Sequence, residues 1–89
     1  MKAKLYTLPG SVCLQCRFTK RLLEQLGVPY EDIPLAQDPD ALAYVKSLGY
    51  ASAPVMVVDM GEGATWSWTG YRPSQIELLA EKFINKQAL

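Results

Sequence analysis

Histidine is missing from this sequence, and cysteine occurs only twice in its 89 residues. A structural zinc site takes four ligands drawn mainly from those two residue types, so carboxylates or a second chain would have to complete one here. Two cysteines are also too few for a disulfide scaffold, in which several bridges stand in for a core. No apolar run is long enough to cross a bilayer and the N-terminus carries no signal-peptide pattern, so the chain is read as cytoplasmic, with no membrane role. Formal net charge is zero. Lys2, Lys4, Arg17, Lys20 and Arg21 make residues 1–27 basic, and Glu31, Asp32, Asp38, Asp40, Asp59 and Glu62 make residues 28–62 acidic. That is a solvated dipole. The basic patch with interleaved aromatics that nucleic acid requires is not there. Neither repeat, low-complexity segment nor linker interrupts the chain, and its length holds a single core, so 1–89 is read as one domain.

What is present alternates between strand and helix patterns. Lys2 to Thr7 reads as a strand with Ala3, Leu5 and Thr7 on one face, stopped by Pro9-Gly10-Ser11. A helical pattern opens at Cys13 and closes at Gly27, the expected left-handed residue past the helix end, with Pro29 beyond. Phe18, Leu22 and Leu26 recur at i, i+4 and i+8, and Leu23 widens that apolar face. Lys20 and Glu24 are spaced for an i, i+4 pair on the outside. Tyr30 to Leu35 reads as a second strand, parallel to the first because a crossover helix joins them. Asp38-Pro39-Asp40 signals a helix start with Asp38 as cap and Pro39 at its first position. Leu42, Val45 and Leu48 form its apolar face and Gly49 ends it. Ala53 to Val58 reads as a strand beginning at a proline, Asp59 to Gly63 as a hairpin loop, and Ala64 to Trp68 as the returning strand. Trp66 and Trp68 then share one side of the sheet, as core or as cover beneath a helix. Ser74 and Glu77 have capping-box spacing for a last helix that turns Ile76, Leu79, Ala80 and Phe83 inward and frays after Asn85. The order β-α-β-α-β-β-α gives an α/β fold, a four-stranded mixed sheet flanked by three helices: the thioredoxin-like fold in its short form.

Cys13-Leu14-Gln15-Cys16 falls where the first strand hands over to the first helix. The bland reading of such a pair is half a metal site or two buried core thiols. A Cys-x-x-Cys at a strand-to-helix junction of a small α/β domain is instead the redox arrangement of thioredoxin-like proteins. A disulfide oxidoreductase needs one thiol held as thiolate and a second in reach to resolve the mixed disulfide. Cys13 at a helix N-terminus meets unpaired N–H groups and the positive dipole end, with Arg17 and Lys20 adding positive charge. Cys16, three residues on, lies on the same helix face and is expected to be the more buried of the two. Cys13 is therefore the candidate nucleophile and Cys16 the candidate resolver. Ala53-Pro54 is the second piece. Taken alone it reads as an ordinary trans proline, since only about 5–6% of X–Pro bonds are cis. In a thioredoxin-like fold the loop before the third strand faces the cysteines, which makes a cis bond at Pro54 the expectation.

Together these residues resemble the glutaredoxin-like NrdH-redoxins. The resemblance runs over nearly the whole chain: the Tyr6-Thr7 pair, Cys13-Leu14-Gln15-Cys16, Leu48-Gly49-Tyr50, Ala53-Pro54-Val55, and most specifically Trp68-Thr69-Gly70-Tyr71-Arg72-Pro73, where the family has Trp-Ser-Gly-Phe-Arg-Pro. It implies a redox carrier that thioredoxin reductase reduces and that in turn reduces class Ib ribonucleotide reductase, at its large subunit. No bound cofactor is implied beyond the Cys13–Cys16 disulfide, with NADPH acting only through the reductase. Leu8 stands where the family commonly has lysine, which makes the rim more apolar. Glutathione-binding glutaredoxins have Cys-Pro-Tyr-Cys and a Gly-Gly pair. Here Leu14-Gln15 replaces the first, and Gly70-Tyr71 puts a side chain where the second glycine would allow close approach. Val12, Leu14, Ala53, Pro54, Gly70 and Tyr71 are the expected rim around Cys13, apolar and suited to a protein partner more than to a charged tripeptide. Arg72 is read as tying the Gly70 turn to the last helix. A monomer is expected. The alternatives are a glutathione-dependent glutaredoxin and a module holding a metal or iron–sulfur cluster.

Overall fold

Alternation fixes the first strand: Ala3 and Leu5 are buried, Lys2 and Lys4 exposed. A computed structural model describes residues 1–87, with side chains as far as Ile84. Its elements are β1 (Lys2–Thr7), α1 (Leu14–Gln25), β2 (Glu31–Pro34), a single 3-10 turn at Leu35–Gln37, α2 (Pro39–Ser47), β3 (Val55–Gly61), β4 (Ala64–Thr69) and α3 (Pro73–Gln87). The sheet order is β2-β1-β3-β4. β1 and β2 are parallel, and β3 runs antiparallel to both β1 and β4. This is the mixed sheet that the order of elements predicts.

Strand period sorts the core into two layers. Ala3 and Leu5 of β1, Met56 and Val58 of β3 and Trp68 of β4 pack with Leu23 of α1 and with Ile76, Leu79 and Ala80 of α3. On the other face Tyr6, Val55 and Val57 pack with Leu35 and with Ala41 and Val45 of α2. Trp66 lies against the first layer, its ring 4.8 Å from that of Trp68, under the Lys82 ammonium.

The helix ends follow the local signals. Gly27 has φ +71°, its N–H donates to Glu24, and the Val28 N–H donates to Leu23. Gly49 has φ +90°, with its N–H on Lys46 and the Tyr50 N–H on Val45. Both are Schellman closures, which only a left-handed residue completes without strain. Asp38 caps α2 by accepting from the Ala41 N–H at 3.0 Å. The hairpin is tighter than Asp59 to Gly63: Gly61 pairs with Ala64, leaving Glu62 and Gly63 as a two-residue turn with φ +56° and +79°. Positive φ at both positions matches a type I′ turn, whose twist suits paired strands.

The buried helix faces differ from the i, i+4 reading. On α1 the line against the sheet is Cys16, Thr19 and Leu23, while Phe18 and Leu26 are each 38% exposed. Thr19 can enter the core because its hydroxyl donates to the Gln15 carbonyl at 2.8 Å. On α2 the buried pair is Ala41 and Val45, and Leu42 and Leu48 stay at the edge, since a short helix rests on the sheet through its small residue. Lys20 reaches Asp32 of β2 (2.6 Å), and Glu24 takes the Tyr30 hydroxyl (2.8 Å), so the i, i+4 pair does not form. α3 begins at Pro73, with the Arg72 carbonyl accepting from Ile76. Ser74 is thereby inside the helix, and the capping box is displaced by proline, which is preorganised for the first helical position. Ile76, Leu79 and Ala80 are buried and Phe83 packs against them. The helix continues to Gln87 instead of fraying after Asn85; residues 88–89 lie outside the described part.

Candidate active site

Pro9 gathers the loop that leads into α1. Its carbonyl accepts from the N–H groups of Val12 (2.9 Å) and Cys13 (3.0 Å), and the Arg17 stem lies over Gly10, where a Cβ would sit 3.2 Å from it. The loop thus delivers Cys13 as the N-cap of α1. Its Sγ accepts from the Cys16 N–H at 3.2 Å, satisfying one of the donors that a helix start leaves open. Cys13 and Cys16 form a disulfide, with S–S 2.07 Å and Cα atoms 5.3 Å apart. Cys13 is 7% exposed and Cys16 1%, so Cys13 is the more accessible of the two.

Two further segments converge here. The Ala53–Pro54 bond is cis. Pro54 is buried, and its carbonyl accepts from the Gly70 N–H at 2.9 Å. The Thr69 hydroxyl faces the Ser52 carbonyl at 2.8 Å and the Pro54 carbonyl at 3.1 Å, so the loop before β3 and the end of β4 are tied together. Ala53 itself has no backbone hydrogen-bond partner among the described residues. From the third side, the Gln15 Oε1 accepts from the Tyr71 N–H at 2.9 Å, and the Tyr71 ring lies 5.7 Å from that of Phe18. Gly70, at φ +86°, allows this approach: a Cβ there would be 3.3 Å from the Gln15 oxygen. Sequence reasoning placed Tyr71 on the rim but missed its link to Gln15, which no spacing rule reveals across 56 residues.

The rim is apolar. Val12 and Leu14 flank Cys13 at 71% and 55% exposure, and Leu8 is 38% exposed. Beside Leu8 and Ala53 a hollow of about 110 Å³ opens between Leu35, Leu42, Val45 and Tyr50. Charge is less available than the sequence suggests. Lys20 is paired with Asp32, whose other oxygen accepts from the buried Thr7 hydroxyl at 2.7 Å. Arg72 spans the turn, its Nε donating to the Thr69 carbonyl at 3.0 Å, the tie expected of it. Further off, burial together with the Glu24 carboxylate pushes the Tyr30 hydroxyl up to about 12. No cluster of three or more metal-ligating side chains occurs among the described residues. Neither is any described helix long and apolar enough to cross a membrane.

Known proteins resemble this chain. A model of the glutaredoxin family matches residues 3–61. The glutaredoxin-like protein NrdH of Escherichia coli strain K12 is 32% identical over 79 residues, 89% of each chain. That of Lactococcus lactis subsp. lactis is 28% identical over 68 residues, 76% of this chain and 88% of its own. Among solved structures, the glutaredoxin-like NrdH-redoxin of Escherichia coli, described for its thioredoxin-like activity profile, superposes with a TM-score of 0.77, at 32% identity, covering 89% of this chain and 95% of that one.

Proposed function

The chain belongs to the glutaredoxin family, among its NrdH-like members, and from that premise we propose that it carries electrons from thioredoxin reductase to class Ib ribonucleotide reductase. Its general chemistry is that of a dithiol–disulfide oxidoreductase. The observation that carries the proposal is the Cys13–Cys16 disulfide at the start of α1 within an apolar rim. An apolar surround favours docking of a protein segment.

In the reduced protein the Cys13 thiolate retains the Cys16 N–H as donor and the positive end of α1 beneath it, both of which favour the charged form. It attacks one sulfur of the partner's disulfide, and that bond breaks as Cys13 joins the attacked sulfur. The released partner sulfur takes a proton. Cys16, as thiolate, then attacks the Cys13 sulfur, the mixed disulfide breaks, and the second partner sulfur leaves and is protonated. Two electrons and two protons have passed to the partner, and the Cys13–Cys16 bond has re-formed. Thioredoxin reductase returns two electrons from NADPH. Ala53, whose N–H and C=O are unengaged, offers the incoming segment a backbone pairing site beside the sulfurs. Leu8, Val12, Leu14 and Tyr71 supply the apolar contact. The partner on the oxidising side is the disulfide of the ribonucleotide reductase large subunit, and the protein works as a monomer in the cytoplasm.

Reconstitution tests this assignment. Supplied as sole electron donor, the reduced protein is expected to sustain deoxyribonucleotide formation by a class Ib ribonucleotide reductase, and Cys13→Ser to abolish it. Reduction of general disulfides without support of that enzyme would remove the ribonucleotide reductase assignment.

A further inference from the structure

Gly10 is the one glycine of six whose backbone angle does not call for it. The other five stand at φ between +71° and +92°, which side chains rarely adopt. At Gly10 the demand is for space: the Cγ and Cδ of Arg17 lie 3.2 Å from where its Cβ would be. The loop before α1 thus forms a seat for the stem of an exposed side chain. A seated stem has less rotamer freedom left to lose, so the guanidinium is held in place before a partner arrives.

The charge it carries does not help the helix to form. Arg17, Lys20 and Arg21 all fall in the N-terminal part of α1, the positive end of its dipole, and the first turn holds no acidic residue. Arg17 and Arg21, at i and i+4, also repel each other. Lys20 is neutralised by Asp32, and neither arginine has a carboxylate partner among the described residues. Arg17, one turn from Cys13, is close enough to favour the thiolate. Arg21 is not: it stands about 12 Å from Cys13 along the helix axis, beyond the screening length of about 8–10 Å at physiological salt. Thiolate stabilisation therefore accounts for one arginine and leaves the other.

Leu14, Arg17 and Arg21 fall at i, i+3 and i+7, so all three exposed side chains share one stripe of α1 that begins beside the disulfide. We propose that this stripe docks an extended segment of the protein partner that is apolar at its reacting cysteine and acidic beyond it, with one carboxylate on Arg17 and a second on Arg21. The rise of a helix against that of a strand places those acids about two and four residues from the cysteine, on one side of the segment. Arginine suits the task because its planar fork takes a carboxylate through two parallel N–H bonds. The inference rests on the electron-carrier reading, which supplies a protein partner, and adds the charge which that partner carries beside its disulfide.

The test uses the full chain, reduced with dithiothreitol and then freed of it, and two synthetic peptides, each closed by a disulfide between its own two cysteines. One peptide carries glutamate two and four residues beyond the disulfide on both sides; the other has glutamine at the same places. Cys13 attacks the peptide disulfide and Cys16 resolves it, so each reaction oxidises one protein and leaves one peptide dithiol. The ratio of the two second-order rate constants, acidic over neutral, isolates docking, because a change in the Cys13 thiolate enters both rates equally. Dithiothreitol acting directly on the peptides gives the ratio that their own reactivity sets. Relative to that baseline the parent protein is expected to favour the acidic peptide about threefold at low salt, the scale of an exposed ion pair, and to lose the preference in about 0.5 M salt. Arg17→Gln and Arg21→Gln are each expected to lower the ratio, and the double variant to bring it to the baseline. Gly10→Ala, which keeps both arginines but fills the seat, is expected to lower it as well. A parent ratio at the baseline, or a preference that survives the double substitution, would overturn the proposal. Equal slowing with both peptides in Arg17→Gln would overturn docking at Arg17 and leave it to the thiolate alone, and an unchanged ratio in Gly10→Ala would overturn the seat. Failure of thioredoxin reductase to reduce the parent protein would sink the electron-carrier assignment and leave these ratios readable, since dithiothreitol supplies the electrons.

Discussion

At the residue scale the chemistry turns on which sulfur keeps the helix's donors once the disulfide opens. Cys13 holds the cap position and the Cys16 N–H, so in the reduced protein iodoacetamide is expected to label Cys13 on the order of tenfold faster than a free thiol, with Cys16 lagging. Equal, slow labelling of both would remove the thiolate argument. Tyr30 gives a pH signature away from the site. Its hydroxyl is pushed up to about 12 by burial first and by the Glu24 carboxylate second, so the folded state holds its proton longer than the unfolded chain does. The stability this contributes is complete below the ordinary tyrosine value of about 10 and is lost as pH climbs toward 12. Tyrosinate absorbance is expected to show a late-titrating tyrosine that disappears in Tyr30→Phe. Asp32 joins the Lys20 ammonium to a buried Thr7 hydroxyl, and Asp32→Ala is expected to cost about 1–2 kcal/mol in denaturant unfolding, chiefly from the orphaned hydroxyl. The cysteines and the proline of Ala53-Pro54 were legible in the sequence because their chemistry is local. Gln15 and Asp32 were not, because each acts on a residue that only the fold brings near.

Elements repeat that division. Asp38, Gly27 and Gly49 announce their helix ends through interactions within a few residues, and the structure places each cap and closure where the sequence does. Asp38→Ala is expected to cost about 1 kcal/mol, read as a lowered Tm. The hairpin carries a correctable flaw. Glu62 sits at φ +56°, in the left-handed region that disfavours most side chains, followed by Gly63. Glu62→Asn, giving the Asn-Gly pair that type I′ turns favour, is expected to stabilise by about 0.5 kcal/mol. No change, or a loss, in the Asn variant would show that the strands and not the turn fix the hairpin. Helix faces were the illegible part. Of the expected face Phe18, Leu22, Leu23 and Leu26, Leu23 is buried and Leu22 packs against the core, but Cys16 and Thr19 stand in for Phe18 and Leu26, and only the seat of α1 on the sheet makes that choice. That choice leaves Phe18 free to pack against Tyr71.

For the whole molecule, topology converts scattered segments into one site. A crossover helix makes β1 and β2 parallel, and the β3–β4 hairpin adds the antiparallel half of the sheet. The start of α1, the loop before β3 and the turn after β4 meet at one end, where the Gly70 N–H bonds to Pro54 and the Tyr71 N–H to Gln15 although the chain separates them widely. The order of elements was enough to foresee the sheet, while the expectation that these segments surround the cysteines came from the fold and the family resemblance. The proposed function assigns selectivity among electron donors to this assembled rim. The most direct test incubates the oxidised protein with NADPH, a disulfide substrate, and either thioredoxin reductase or glutathione with its own reductase. Rapid NADPH loss with thioredoxin reductase and little with glutathione is the predicted result. Turnover sustained only by glutathione would contradict the account, because the apolar rim would then not be selecting the donor.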